Sequence, residues 1–119
     1  MDDAYAFGQE AEKRAALFYQ EQGYTVEAEN FRYRKAEIDL IVRNHEFLVA
    51  VEVKARSSIA FGAPYSFISC KKIKRIVMAM DAFVQQRQLN VEIRFDVLSC
   101  TYLRGKWHLE QLKDAFFYF

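Results

Sequence analysis

Two apolar runs stand back to back in the middle of the chain, Glu37 to Arg43 (EIDLIVR) and Glu46 to Lys54 (EFLVAVEVK), separated by Asn44-His45. Alternating side chains of this length read as strands, and a two-residue Asn-containing break reads as the turn of a hairpin. Leu40, Val42, Phe47, Val49, Val51 and Val53 are the side chains that such a hairpin would bury. Charged residues nevertheless interrupt both runs: Asp39 in the first, Glu52 and Lys54 in the second. Strand side chains repeat every two residues, so Glu52 and Lys54 share a face. Asp is disfavoured in strands, and a charge placed there calls for an ion or hydrogen bonds to compensate it. Whatever this chain folds into must therefore hold a buried hairpin with charges set into its open end.

The flanking segments fill in the rest. Residues 6–22 read as a helix from the spacing of Phe7, Ala11, Arg14/Ala15 and Phe18, with Gly23 as its stop and Glu12 beside the apolar face. Tyr24 to Arg34 alternates as a long half-exposed strand, irregular around Asn30. Ala55 to Pro64 carries Ser57, Ser58, Gly62 and Pro64 and reads as a loop; Ser69 then caps a helix to about Gln88, whose inner stripe is Ile73, Ile76/Val77, Met80 and Phe83/Val84. Val91 to Leu103 is a further strand, Arg104-Gly105 a turn, and Trp107 to Leu112 a returning strand. The apolar tail Ala115 to Phe119 should pack on the body or on a partner. The order α-β-β-β-α-β-β implies a mixed sheet flanked by helices, an α/β sandwich formed as one domain over residues 1–119. Seven Tyr and eleven Phe imply a core rich in rings, and one Pro with four Gly leaves no disordered linker.

Net charge is +1, so bulk electrostatics do not mark a polyanion binder. The basic residues are clustered, however, as Arg32, Arg34, Lys35, then Lys54, Arg56, then Lys71, Lys72, Lys74, Arg75, and local patches attract phosphate even in a neutral chain. A solvated face explains such runs equally well. Cys70 and Cys100 lack the spacing of a zinc site. There is no signal-peptide pattern and no apolar run long enough for a bilayer, so the expectation is a cytoplasmic protein with free thiols and no membrane.

Counting from the expected Asn44-His45 turn, Asp39 lies five residues before it and Glu52 seven after, offset but close on neighbouring strands. Two such carboxylates repel unless a cation neutralises them. Oxygen ligands suit Mg²⁺ or Mn²⁺, with the backbone carbonyl of Val53 as a further ligand. Lys54 would point at the same site and stabilise charge developing on a phosphate. A plain ion pair of Lys54 with Glu52 or Asp39 is the bland alternative. Glu37 would share the face of Asp39, or pair with Arg34 or Lys35. Asp96 is read as paired with Arg94; His45 and His108 as surface residues; Tyr33 and Tyr65 as weak nucleic-acid contacts beside the basic rim; Trp107 as packing.

The set Gly8, Glu12, Gly23-Tyr24, Asn30-Phe31-Arg32, Glu37-Ile38-Asp39-Leu40-Ile41, Val51-Glu52-Val53-Lys54, Arg56, Phe61-Gly62, Lys72 and Arg94-Phe95-Asp96-Val97 resembles the bacterial YraN family, from about Phe7 to Phe116. That family is similar to the Holliday junction resolvase branch of the PD-(D/E)xK nucleases. The resemblance implies a restriction-endonuclease-like three-layer core in which Asp39 and Glu52 bind the metal, Lys54 is the catalytic lysine, and Glu12 is the acid of the first helix, near the metal. Ala36 and Ala11 stand where the family usually has Gly; the first hints at a slightly altered start of the strand, and the second costs nothing inside a helix.

The expected function is thus metal-dependent hydrolysis of DNA phosphodiester bonds, at branched or structured sites, with Arg32, Arg34, Lys35, Arg56, Lys72 and Arg75 contacting nucleic acid. A catalytically silent nucleic-acid-binding or protein-interaction module on the same fold is the alternative. A third role is assembly through the aromatic C-terminus. A two-fold homodimer is expected because a nuclease acting on both strands needs two sites.

Overall fold

The computed structural model describes residues 4–57 and 68–116. In chain order it contains α1 (Ala4–Glu21), β1 (Thr25–Tyr33), β2 (Ala36–Arg43), β3 (Phe47–Arg56), α2 (Cys70–Arg87), β4 (Glu92–Leu103) and β5 (Lys106–Leu112). This is the expected order. The strands form one sheet, β1-β2-β3-β4-β5, antiparallel throughout except for the parallel pair β3/β4 that α2 connects. Parallel neighbours need a crossover of this length.

The helices cover opposite faces, which makes three layers. On one face Ala11, Ala15 and Tyr19 of α1 pack on Leu40, Val42, Val49, Val51, Leu98 and Cys100. On the other, Ile76, Ala79, Met80 and Phe83 of α2 pack on Ile38, Ile41, Leu48, Ala50, Phe95 and Val97. The central strands are buried on both sides, so β3 reads as a continuous apolar run instead of a clean alternation. The inner residue of the second half of α1 is Tyr19, not Phe18, because Tyr19 carries a hydroxyl that finds a buried partner, whereas Phe18 is only half-buried.

Local signals explain the element ends. Ser69 caps α2, its Oγ accepting from the Lys72 N–H at 3.1 Å, and Gln88 closes it in the left-handed region at φ 52°. Asn30 also takes positive φ, at 51°, where irregularity in β1 was expected; a second irregularity is a bulge between Val26 and Ala28.

Three boundaries differ from expectation. The β2/β3 turn is centred on His45-Glu46, one residue later than Asn44-His45. Asn44 accepts the N–H groups of Glu46 and Phe47 on its side chain (2.9 and 2.7 Å) and gives its own N–H to the Phe47 carbonyl (3.0 Å). An Asn that satisfies the two following amides belongs before the turn, not inside it. A second two-residue turn lies at Arg34-Lys35, between the paired residues Tyr33 and Ala36, and a third at the expected Arg104-Gly105, between Leu103 and Lys106. Arg34 takes the positive φ, 57°, and Ala36 does not, so alanine at the start of β2 needs no special backbone. Lastly, β3 runs on to Arg56, and the loop expected from Ala55 begins only after it; most of that loop, with Tyr65, lies outside the described residues. At the other end, Ala115 donates to the Phe95 carbonyl (2.7 Å) and Phe116 stacks on Phe95, so the tail packs on the body as far as it is described. Residues 117–119 lie outside that range.

Candidate active site

The site is built by a fork in the sheet. β2 and β3 pair from Arg43↔Leu48 to Leu40↔Val51 and no further. Beyond that point β2 stays with β1 as far as Ala36, and β3 stays with β4 as far as Arg56. The first facing positions past the last pair are Asp39 and Glu52. The shift of the turn by one residue therefore brings positions 39 and 52 level with each other just past the last pair, not offset along the strands.

Asp39 itself marks the break. The Val53 amide, left without a β2 partner, donates to Asp39 Oδ2 at 2.8 Å, so the side chain replaces a rung of the ladder. Ile38 and Leu40 have the same parity, yet Ile38 packs on the α2 side and Leu40 on the α1 side, so β2 turns over at Asp39. Opposite it, Asn30 with its positive φ has no rung to β2.

Glu52 has the parity of Leu48 and Ala50 and faces α2 with them. Its side chain is 4% exposed and receives two ammonium groups: Lys54 Nζ at 3.5 Å, and Lys72 Nζ in direct contact with the same oxygen, Oε2. The plain ion pair weighed for Lys54 is thus present, but the nearer cation comes from α2. Lys72 was read only as a phosphate contact. The signal that could have found its role is the cap at Ser69, which fixes the first turn of α2 and so sets where Lys72 begins.

Burial pushes the Asp39 carboxyl up to about 7, and the charge of Glu52 adds to that. The Val53 amide and Lys72 pull the other way without cancelling it. Burial also raises Glu12, against the hydrogen bond from Asn30, with Glu37, Glu29 and Glu52 contributing repulsion. Lys72 is opposed by burial, but its hydrogen bond to Glu52 and the charges of Glu52 and Asp39 prevail and raise it. The site is a local excess of negative charge that strains to be neutralised.

Glu12 joins from α1 through Asn30, whose Nδ2 donates to Glu12 Oε1 (3.2 Å) and to Glu37 Oε2 (3.0 Å). Glu37 pairs with Arg32 (3.7 Å), not with Arg34 or Lys35. Asn30, unassigned from sequence, is therefore the link between the helix acid and β2. A cleft of about 410 Å³ opens beside Asp39, lined by Lys35, Glu37, Ser69, Lys71, Lys72 and Arg75 among others. Lys35, Lys72 and Arg75 of the expected nucleic-acid contacts meet there. Arg32 and Arg34 lie on the β1/β2 hairpin, Arg34 over the Tyr33 ring (5.2 Å), and Arg56 ends β3.

Among the described residues no group of three His, Cys, Asp or Glu stands ready to enclose a metal. Two facing carboxylates are present, and their mutual repulsion is met by Lys72. That donor set fits a hard divalent ion such as Mg²⁺, which takes one or two carboxylates and keeps several waters.

Other titratable clusters are occupied. Asp96, fully buried, accepts from Arg94 Nε (2.9 Å) and Nη2 (2.9 Å), Tyr19 Oη (2.8 Å), Gln111 Nε2 (3.2 Å) and the Asp114 N–H (3.1 Å). The expected Arg94 pairing holds. His45 and His108 are exposed, as expected. Trp107 stacks on Phe7 at 4.9 Å with Arg14 over it at 5.5 Å, a packing use. Both cysteines are free, Cys100 buried and Cys70 exposed. No helix among the described residues is long and apolar enough to cross a membrane.

Comparison with known sequences identifies a family. The sequence model of the Uncharacterised protein family UPF0102, the YraN family, matches residues 11–100, a span that holds Glu12, Asp39, Glu52, Lys54 and Lys72. A UPF0102 protein of Flavobacterium psychrophilum is 39% identical over 112 residues, covering 94% of each chain. One from Christiangramia forsetii is 37% identical over 112 residues, again 94% of each, and one from Hahella chejuensis is 40% identical over 92% of this chain and 88% of its own.

Proposed function

The chain belongs to the UPF0102 family, and we propose that it is a metal-dependent endonuclease hydrolysing DNA phosphodiester bonds, with branched or otherwise structured DNA as substrate. The observation that carries this reading is the pair Asp39 and Glu52 at the fork of β2 and β3, the first half-buried and the second buried, mutually repelling and backed by a lysine on the strand of Glu52.

Asp39 and Glu52 would hold Mg²⁺ or Mn²⁺, with the Val53 carbonyl as a further ligand and Glu12 close by. When bound, the ion supplies a water of lowered pKa and neutralises the carboxylate pair. Lys54, whose Nζ lies 3.5 Å from Glu52, would donate to a phosphate oxygen as negative charge grows on it. Asn30 holds Glu12 and Glu37 in fixed orientation by donating to both. Lys35, Lys71 and Arg75 give the adjacent cleft the charge that a phosphodiester backbone requires. Two copies related by a two-fold axis would address both strands, which a measurement of mass in solution checks.

The test is a cleavage screen of linear, nicked, flap and four-way-junction DNA and of RNA, with Mg²⁺ and Mn²⁺ and with Asp39→Ala as control. Metal-dependent cutting that vanishes in the control is the expected result; no cutting of any substrate and no metal binding sinks the proposal. One observation favours a second reading, a binding module without turnover: the described residues gather no three-residue ligand cluster. DNA affinity unchanged in Asp39→Ala and Lys54→Ala, with no cleavage by the parent, would select it.

A further inference from the structure

Lys72 is placed unlike the other cations of the site. It comes from α2, not from the strand that carries Glu52, and its ammonium touches Glu52 Oε2, the oxygen that Lys54 also approaches. Its backbone is fixed, since its N–H is held by the Ser69 cap at 3.1 Å. Its side chain is 44% exposed, against 25% for Lys54 and 4% for Glu52. The carboxylate is enclosed, and the lysine reaches it along a side chain that stays open to solvent. The same side chain lines the cleft that also presents Lys35, Lys71 and Arg75.

Resting on the metal-dependent reading above, we propose that Lys72 is an exchangeable cation: it neutralises Glu52 in the metal-free protein and turns to a phosphate of bound nucleic acid when Glu52 takes up a divalent ion. Glu52 Oε2 already receives Lys54 at 3.5 Å and Lys72 in contact, and a divalent ion on that oxygen adds two more positive charges, so the lysine in contact is the one displaced. A lysine on a fixed helix turn with a flexible four-carbon stem can leave without any backbone change. The cleft that it already lines is where a phosphate would receive it. Metal and nucleic acid then help each other, because each removes Lys72 from competition with the other. Thermodynamic linkage makes that assistance equal in both directions.

The consequence separates this role from that of an ordinary phosphate contact. With EDTA present, Glu52→Gln releases Lys72, and affinity for a fluorescent four-way-junction oligonucleotide should rise about 5-fold or more. In a Lys72→Gln background the same Glu52 change should give no such rise. In the absence of DNA, Lys72→Gln alone should tighten Mn²⁺ binding by a comparable factor, read by calorimetry. A Glu52→Gln gain that persists without Lys72 would reflect general charge and overturn the exchange, as would weaker Mn²⁺ binding by Lys72→Gln. A parent that binds no Mn²⁺ overturns the metal reading and the exchange together. A parent that binds Mn²⁺ and cuts DNA, but shows neither effect, overturns the exchange alone.

Discussion

Two aspartates interrupt apolar strands in this molecule, and they are treated in opposite ways. Asp96 on β4 accepts five hydrogen bonds, two of them from Arg94, whose guanidinium in turn donates to the Tyr24 hydroxyl at 2.8 Å. Burial works against the charge of Arg94, but Asp96 and Tyr24 outweigh it and raise its pKa. Burial and the neighbouring Asp96 likewise raise the Tyr19 phenol, so it stays a donor. Asp39 on β2 is half-buried, accepts one backbone hydrogen bond, lies near the buried Glu52 carboxylate, and is held well above the ordinary carboxylate range. The first arrangement is complete in itself. The second is left short of positive charge, and a lysine on a neighbouring helix makes up part of the deficit. An acid that the fold satisfies serves the fold, and an acid that it leaves strained is free to serve a ligand.

The comparison breaks most readily by deletion. Asp96→Ala leaves a buried guanidinium without its partner and should cost about 3–5 kcal/mol in chemical denaturation. Asp39→Asn should instead keep or increase stability in metal-free buffer. Comparable losses for both would show that Asp39 is structural after all.

On the catalytic side, Lys54→Ala should lower the rate of cleavage by about 10²–10³-fold while leaving the melting temperature nearly unchanged. Arg94→Met should do the reverse, moving stability and leaving the rate constant of the folded fraction intact. Paired rate and melting measurements on the two variants check both halves.

The pH profile sharpens the contrast further. Asp39 is near 3.8 when exposed and about 7 in the fold, so between those values the folded chain binds more protons. Stability in EDTA should therefore fall as pH rises from about 4 towards 7 and level off above it. Asp39→Asn should flatten that slope, and millimolar Mg²⁺ should restore stability at pH 8 far more than at pH 5. Thermal melts across this range suffice, and an unchanged slope in Asp39→Asn would assign it to other groups. The smallest effect belongs to the rim: Arg32→Gln breaks a 3.7 Å contact with Glu37 on a side chain 77% exposed, and should change stability by less than about 0.5 kcal/mol.

Much of this was written in the pattern of residues. The element order follows from periodicity, Ser69 from its capping chemistry, and Asp39, Glu52 and Lys54 from charged residues where apolar strands do not want them, while Glu12, beside an apolar helix face, was singled out through the family resemblance. The register was not legible, because it depends on whether Asn44 stands inside its turn or ahead of it, a difference of one residue that moves Glu52 from beside Asp39 to opposite it. Nor was the contact of Lys72 with Glu52, which joins residues twenty apart across a crossover. The bridging role of Asn30 depends on a single left-handed residue that turns its amide towards two acids, and no periodicity encodes that.

The proposed divalent cation site at Asp39 and Glu52 is open to a direct measurement. Calorimetric titration of the metal-free protein with Mn²⁺, repeated on Asp39→Asn and Glu52→Gln, tests it without reference to any substrate. The expected result is saturable binding of Mn²⁺ by the parent, with affinity reduced by roughly 10–100-fold or abolished in each variant. Absence of binding by the parent, or binding that survives both substitutions unchanged, would contradict it.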